Sequence, residues 1–132
     1  MVREKTVHSV WDDLKHHGVA KITYFGSDVQ ARYRVDSAKL SLTTIVYRGG
    51  PFVPPSVRAC IHENPPMPPT DIRTSLHFDE KSGQIHLKYL GSFEHFDSHY
   101  FTHVLEQFCV VADGWRSFIN EHDERDLIRV KR

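Results

Sequence analysis

Apolar side chains recur along this chain with two different periods, and the places where the period changes divide it into elements. From Thr6 to Gly18, the residues Val7, Val10, Trp11 and Leu14 fall at i, i+3, i+4 and i+7, the single stripe of a short amphipathic helix. Thr6 is placed to cap it and Gly18 to end it. The period then drops to two. Ala20, Ile22 and Tyr24 alternate with Lys21, Thr23 and Phe25; after a turn at Gly26, Ser27 and Asp28, the run from Val29 to Val35 is apolar at odd positions and polar at even ones. This predicts a hairpin with one wet face. A third strand follows, with Leu40, Leu42, Thr44 and Val46 on one side, Ser41, Thr43, Ile45 and Tyr47 on the other, and a stop at Gly49 and Gly50.

All seven prolines lie between Pro51 and Pro69, bracketing the short piece from Ser56 to Asn64. Proline rules out a continuous strand or helix there, while Pro55 suits the first turn of a brief helix that Pro65 ends. Alternation returns with Ile72, Thr74, Leu76 and Phe78, and again with Ile85, Leu87 and Tyr89, on either side of the five residues Asp79 to Gly83. A turn ending in a glycine at positive φ fits that spacing. Asp97 or Ser98 then caps a long helix, with Phe96 packed on Phe101 as a hydrophobic staple. Its stripe runs through Phe101, Val104, Leu105, Phe108, Val111, Ala112, Trp115, Phe118 and Ile119. The expected fold is α+β: an antiparallel five-stranded sheet with an N-terminal helix, a short central helix and a long C-terminal helix, in the order α-β-β-β-α-β-β-α, as a single domain over residues 1–132.

Composition narrows the function classes. Lysine plus arginine and aspartate plus glutamate number 17 each, and no basic block stands out, so a nucleic-acid partner is not indicated. The first residues carry charge where a signal peptide needs an apolar core, and no apolar run approaches membrane length. Cys60 and Cys109 form neither a C-x-x-C motif nor a paired framework, which fits buried thiols in a reducing cytoplasm.

Candidate chemistry is sparse. Of the ten histidines, His99 and His103 lie four apart with His95 a turn earlier, but no H-E-x-x-H arrangement supplies a zinc site, and an exposed polar face is the better reading. His16 and His17 suit the negative end of the first helix, and His77 and His86 sit on opposite arms of the second hairpin. Cys60 and His62 lack anything to activate the thiol. No nucleophile elbow and no phosphate-binding glycine loop is present. The chain is therefore expected to be no enzyme, with no metal and no cofactor; a small histidine-dependent metal-binding enzyme is the remote alternative. What remains is apolar surplus: Ile22 and Tyr24 back onto Phe25, and Leu40 and Leu42 back onto Ile45 and Tyr47. One long helix covers one sheet face, so the other calls for the first helix, a second subunit or a bound chain.

The order of elements, with the hairpin Leu76-His-Phe-Asp-Glu-Lys-Ser-Gly-Gln-Ile-His-Leu-Lys-Tyr89 and the helix from Phe101 through Trp115-Arg-Ser-Phe-Ile119, resembles the class I type III secretion chaperones, the Tir-chaperone-like family. YbjN-like proteins share that fold. The chain departs from such chaperones in its balanced charge and in its short second helix, the element that often builds their dimer. The resemblance implies a bacterial cytoplasmic chaperone that binds the N-terminal segment of a secreted effector and keeps it export-competent, with a homodimer as the second association. A YbjN-like adaptor or regulator that binds a folded partner is the alternative. Read from alternation, Trp11, Phe25, Ile45 and Tyr47 are the side chains chosen for partner-binding grooves, and Val57, Ile61 and Leu76 for self-association.

Overall fold

The computed structural model describes residues 7–50, 53–62, 70, 72–92 and 97–130, with side chains described from residue 9 to residue 121 within them. Helix α1 (Val7–His17) is followed by strands β1 (Val19–Tyr24), β2 (Ser27–Arg34) and β3 (Lys39–Arg48). Helix α2 (Pro55–Cys60), strands β4 (Thr74–Asp79) and β5 (Gln84–Ser92) and helix α3 (Ser98–Val130) complete the expected order. Local chemistry sets the boundaries. The Gly18 amide donates to the Leu14 carbonyl (3.0 Å) and closes α1. Asp97 caps α3 by accepting the His99 amide (2.7 Å) on its carboxylate, while its carbonyl takes the Phe101 amide (2.9 Å). The proposed cap at Thr6, the staple at Phe96 and the stop at Pro65 lie outside the described residues, but the second helix already ends at Cys60, capped at Ile61 and short of the expected Asn64.

The strands form one antiparallel sheet in the order β1-β2-β3-β5-β4, so β1 and β4 are its edges. Ala20, Ile22, Val29, Ala31, Leu40, Leu42, Ile85, Leu87 and Tyr89 point to one face and are buried there. All three helices pack on that face. α1 contributes Val10, Trp11 and Leu14, α2 contributes Val57 and Cys60, and α3 contributes Phe101, Val104, Leu105, Phe108, Ala112 and Ile119 to a single cluster. Each fully buried side chain of this size stabilises the fold by about 1.5–3 kcal/mol relative to exposure. The first helix thus lies beside α3, with the Trp11 and Phe101 rings 6.0 Å apart, and does not cover the opposite sheet face. That face carries Lys21, Gln30, Arg32, Lys88 and His77, all exposed, around half-buried Thr43 and Ile45.

The hairpin joining β4 and β5 is built as its turn chemistry requires. Gly83 has φ +70, its amide donates to the Asp79 carbonyl (2.8 Å), and the Asp79 carboxylate accepts from the Lys81 amide and the Ser82 hydroxyl, both at 3.0 Å. Those hydrogen bonds, the Ser82 hydroxyl foremost, hold the Asp79 carboxyl below its ordinary range. The turn also anchors the end of β3. The Gly49 amide donates to the Gly83 carbonyl (2.9 Å), and a Cβ on Gly49 would stand 2.4 Å from that oxygen. Only glycine allows the two backbones to meet so closely.

Candidate functional site

The β1–β2 turn is shorter than the glycine, serine and aspartate pattern suggests. Tyr24 pairs directly with Ser27, leaving Phe25 (φ +48) and Gly26 (φ +76) as the two central residues. Two consecutive positive φ values mark a type I′ turn, which matches the strand twist and favours Asn-Gly or Gly-Gly. Phenylalanine is a poor occupant of such a position. Its ring is nonetheless 72% exposed and makes an edge contact with Tyr24 at 4.5 Å. Phe25 is therefore not on the outer sheet face, where strict alternation puts it, but at the tip of the turn.

Helix α3 holds this turn from below. The Tyr24 hydroxyl donates to the Glu106 carboxylate (3.2 Å); burial, then the neighbouring Glu106 charge, raise the Tyr24 pKa. One turn further along α3, the buried Cys109 thiol is hydrogen-bonded to Ser27, and burial pushes its pKa up to about 11. Arg116 completes the set, donating to the Ser27 hydroxyl and to the Gly26 carbonyl. Ser27 is fully buried although it is the first residue of β2, because the helix supplies its partners.

Beside the turn the sheet divides. The β2–β3 ladder runs from Arg34↔Lys39 to Gln30↔Thr43, and β3 continues to Arg48 beyond it. At the point of divergence the buried Thr44 hydroxyl donates to the Asp28 carbonyl (2.8 Å), a side-chain bridge in place of a ladder pair. Further on, a bulge between Ile45 and Tyr47 shifts the register with β5, so Ile45 stands opposite His86 on the outer face, as alternation expects, but Tyr47 stands opposite buried Ile85 and packs against the core. The gap is a cleft of about 460 Å³ lined by Gly26, Asp28, Thr44 to Arg48, Arg116 and Asn120. Ile45 and Tyr47 are half-buried in its wall, and Phe25 adjoins it through Gly26.

Of the four side chains selected for partner binding, the structure gathers Phe25, Ile45 and Tyr47 in this one region. Trp11 lies elsewhere, only 6% exposed in the core with the Lys15 ammonium 5.6 Å above its ring. The residues selected for self-association divide likewise. Val57 is fully buried, because a helix as short as α2 turns both Val57 and Cys60 inward. Ile61 and Leu76 line a second groove, of about 350 Å³, along edge strand β4 with His62, Thr74, Ser75, Leu87 and Trp115. Sequence reasoning missed Arg48, Arg116 and Ser27. A signal for Arg116 was present: it stands seven residues after Cys109 and four after Ala112, so a charge interrupts an apolar stripe.

Elsewhere the side chains show little chemistry. His77 and His86 are opposite one another in register, and His99 and His103 are exposed on α3. Among the described residues no three histidine, cysteine, aspartate or glutamate side chains gather as metal ligands. Cys60 donates to the Ser56 carbonyl (3.1 Å) inside the core, while His62 faces solvent. No helix among the described residues is long and apolar enough to cross a membrane.

Two solved structures share this fold. A chain of the HopA1–SchA chaperone–effector complex superposes with a TM-score of 0.54 at 14% identity, covering 83% of this chain and 92% of its own. A chain of the ExoT–SpcS complex from Pseudomonas aeruginosa gives a TM-score of 0.50 at 15% identity, covering 81% and 90%. No protein-family model and no curated protein matches the sequence. The architecture is thus the one that the resemblance to secretion chaperones implies.

Proposed function

We propose that the chain is a non-enzymatic chaperone that holds an extended segment of a partner protein in the cleft beside the β1–β2 turn. The observation that carries this reading is the joint placement of an exposed phenylalanine on a strained turn and a length of β3 that runs past its neighbour β2. An extended guest has there a strand to lie along, Ile45 and Tyr47 to receive its apolar side chains, and the Phe25 ring to grip. The fold shared with a chain of a chaperone–effector complex supports a secreted effector as the guest, bound through its N-terminal segment in the bacterial cytoplasm and kept fit for export. A second copy of the chain is the proposed occupant of the β4 groove, through Ile61 and Leu76.

Co-expression with candidate secreted proteins encoded nearby tests the main proposal. A stable complex is expected, and the Phe25→Asp, Tyr47→Asp double variant should lose it while keeping its circular dichroism spectrum. Failure to capture any secreted candidate would refute the chaperone role; capture unchanged in the double variant would move the site elsewhere. Sedimentation of wild type against Leu76→Asp tests the dimer separately.

A further inference from the structure

The cleft has a charge that its own residues do not balance. Arg116 is half-buried, yet among the described residues it donates to neutral acceptors, the Ser27 hydroxyl and the Gly26 carbonyl. Taking a guanidinium partly out of water without a facing anion is unfavourable, and its planar fork has five N–H donors shaped for a carboxylate. Arg48 lines the same cleft from the end of β3. Asp28, the acid in the lining, has one carboxylate oxygen engaged by the Thr23 hydroxyl at 2.7 Å. Among the described residues, neither arginine is paired with a carboxylate.

We infer that the cleft selects for an acidic side chain: Arg116 and Arg48 receive an aspartate or glutamate of the extended segment, next to an apolar residue that contacts Ile45 and Tyr47. Arg116 has a double part, since the same guanidinium fixes the turn from which Phe25 projects. Arg48, exposed at the end of β3, has no such contact among the described residues and is the cleaner probe. This inference rests on the proposed guest-binding role and adds the chemistry by which the guest is chosen.

Panning a random-peptide phage library against the purified protein tests it. Enriched sequences should carry Asp or Glu beside an apolar residue. For a synthetic peptide of the enriched sequence, Arg48→Gln should weaken binding about tenfold or more, as should changing the peptide's acid to its amide. The two losses should not add, because both remove the same contact. Arg116→Gln, accepted only if its thermal unfolding matches wild type, should behave alike. Peptides that lose binding in Ile45→Asp but show no acid preference and ignore Arg48 would overturn the inference and leave the guest-binding proposal standing. No enrichment, or binding indifferent to Ile45 as well, would overturn both.

Discussion

Replacing Phe25 by asparagine separates what the ring does for the fold from what it does for a partner. Phe25 is 72% exposed, so about 28% of its surface is covered. For an aromatic side chain of roughly 200 Å² that is about 55 Å², or at most about 1.4 kcal/mol at 25 cal/mol per Å². The edge contact with Tyr24 adds about 0.5 kcal/mol, the low end for an exposed pair. Against this, a left-handed backbone costs a non-glycine residue about 1–2 kcal/mol, and asparagine tolerates the first position of a type I′ turn. The terms nearly cancel. Phe25→Asn should therefore shift Tm by no more than about 4 °C, given about 4 °C per kcal/mol for a chain of this size. Loss of a central aromatic anchor, by contrast, weakens an interface by about 2 kcal/mol or more, roughly thirtyfold in Kd. Thermal unfolding followed by circular dichroism, together with titration of a captured guest, measures both. A fall in Tm beyond about 8 °C would show that the ring is a structural prop, and an unchanged Kd would show that it touches no guest. Either result would refute the reasoning.

Gly83→Ala should be severe, because Gly83 has φ +70 and a Cβ there would stand 2.3 Å from the Gly50 carbonyl oxygen; a loss of about 2–4 kcal/mol is expected in urea unfolding. Cys109 should make the protein sensitive to alkali. Its pKa is raised in the fold from 9.0 to about 11, so its contribution is fully present below pH 9 and fades as pH rises through 11, with an upper bound of about 2.7 kcal/mol. Cys109→Ala should flatten the stability profile between those pH values, apart from the alkaline loss in the same direction from Tyr24, whose pKa is also raised. Thr44→Val, which removes the hydroxyl bridge to the Asp28 carbonyl, should cost about 1–2 kcal/mol in chemical denaturation while leaving the secondary structure intact.

The elements were legible in the sequence because their signals are local. Alternation marks the inner and outer residues of β3 as far as Ile45, where the bulge breaks it, and an acidic turn closing on Gly83 marks the β4–β5 hairpin. Asp97 and the stripe from Phe101 to Ile119 mark α3. Which face each helix covers was not legible, since α1 has an apolar stripe that would suit either side of the sheet. Packing of Trp11 on Phe101 decides it. The turn at Phe25 was misplaced for a physical reason: the sequence offers Gly-Ser-Asp, a favourable turn, while the structure uses a residue type that avoids positive φ. The cleft itself depends on β3 outrunning its ladder with β2, a property of register that neither strand displays alone. Ile45 is legible as an apolar residue on the polar side of the sheet, whereas Tyr47 has that mark only in the sequence, because the bulge sets it opposite buried Ile85. Arg48 and Ser27 carry no such mark.

Trp115 lines the groove along β4, and Arg116, the next residue of α3, lines the cleft where β2 and β3 diverge. On an α-helix consecutive side chains point about 100° apart, so one rigid rod forms a wall of both sites. A roll of α3 about its axis cannot move one side chain without the other. Any occupant of the β4 groove that turns the helix alters the grip on a guest in the cleft, and linkage requires the guest to act back on that occupant by the same free energy. Assembly and cargo loading would then be two readings of a single rotational coordinate.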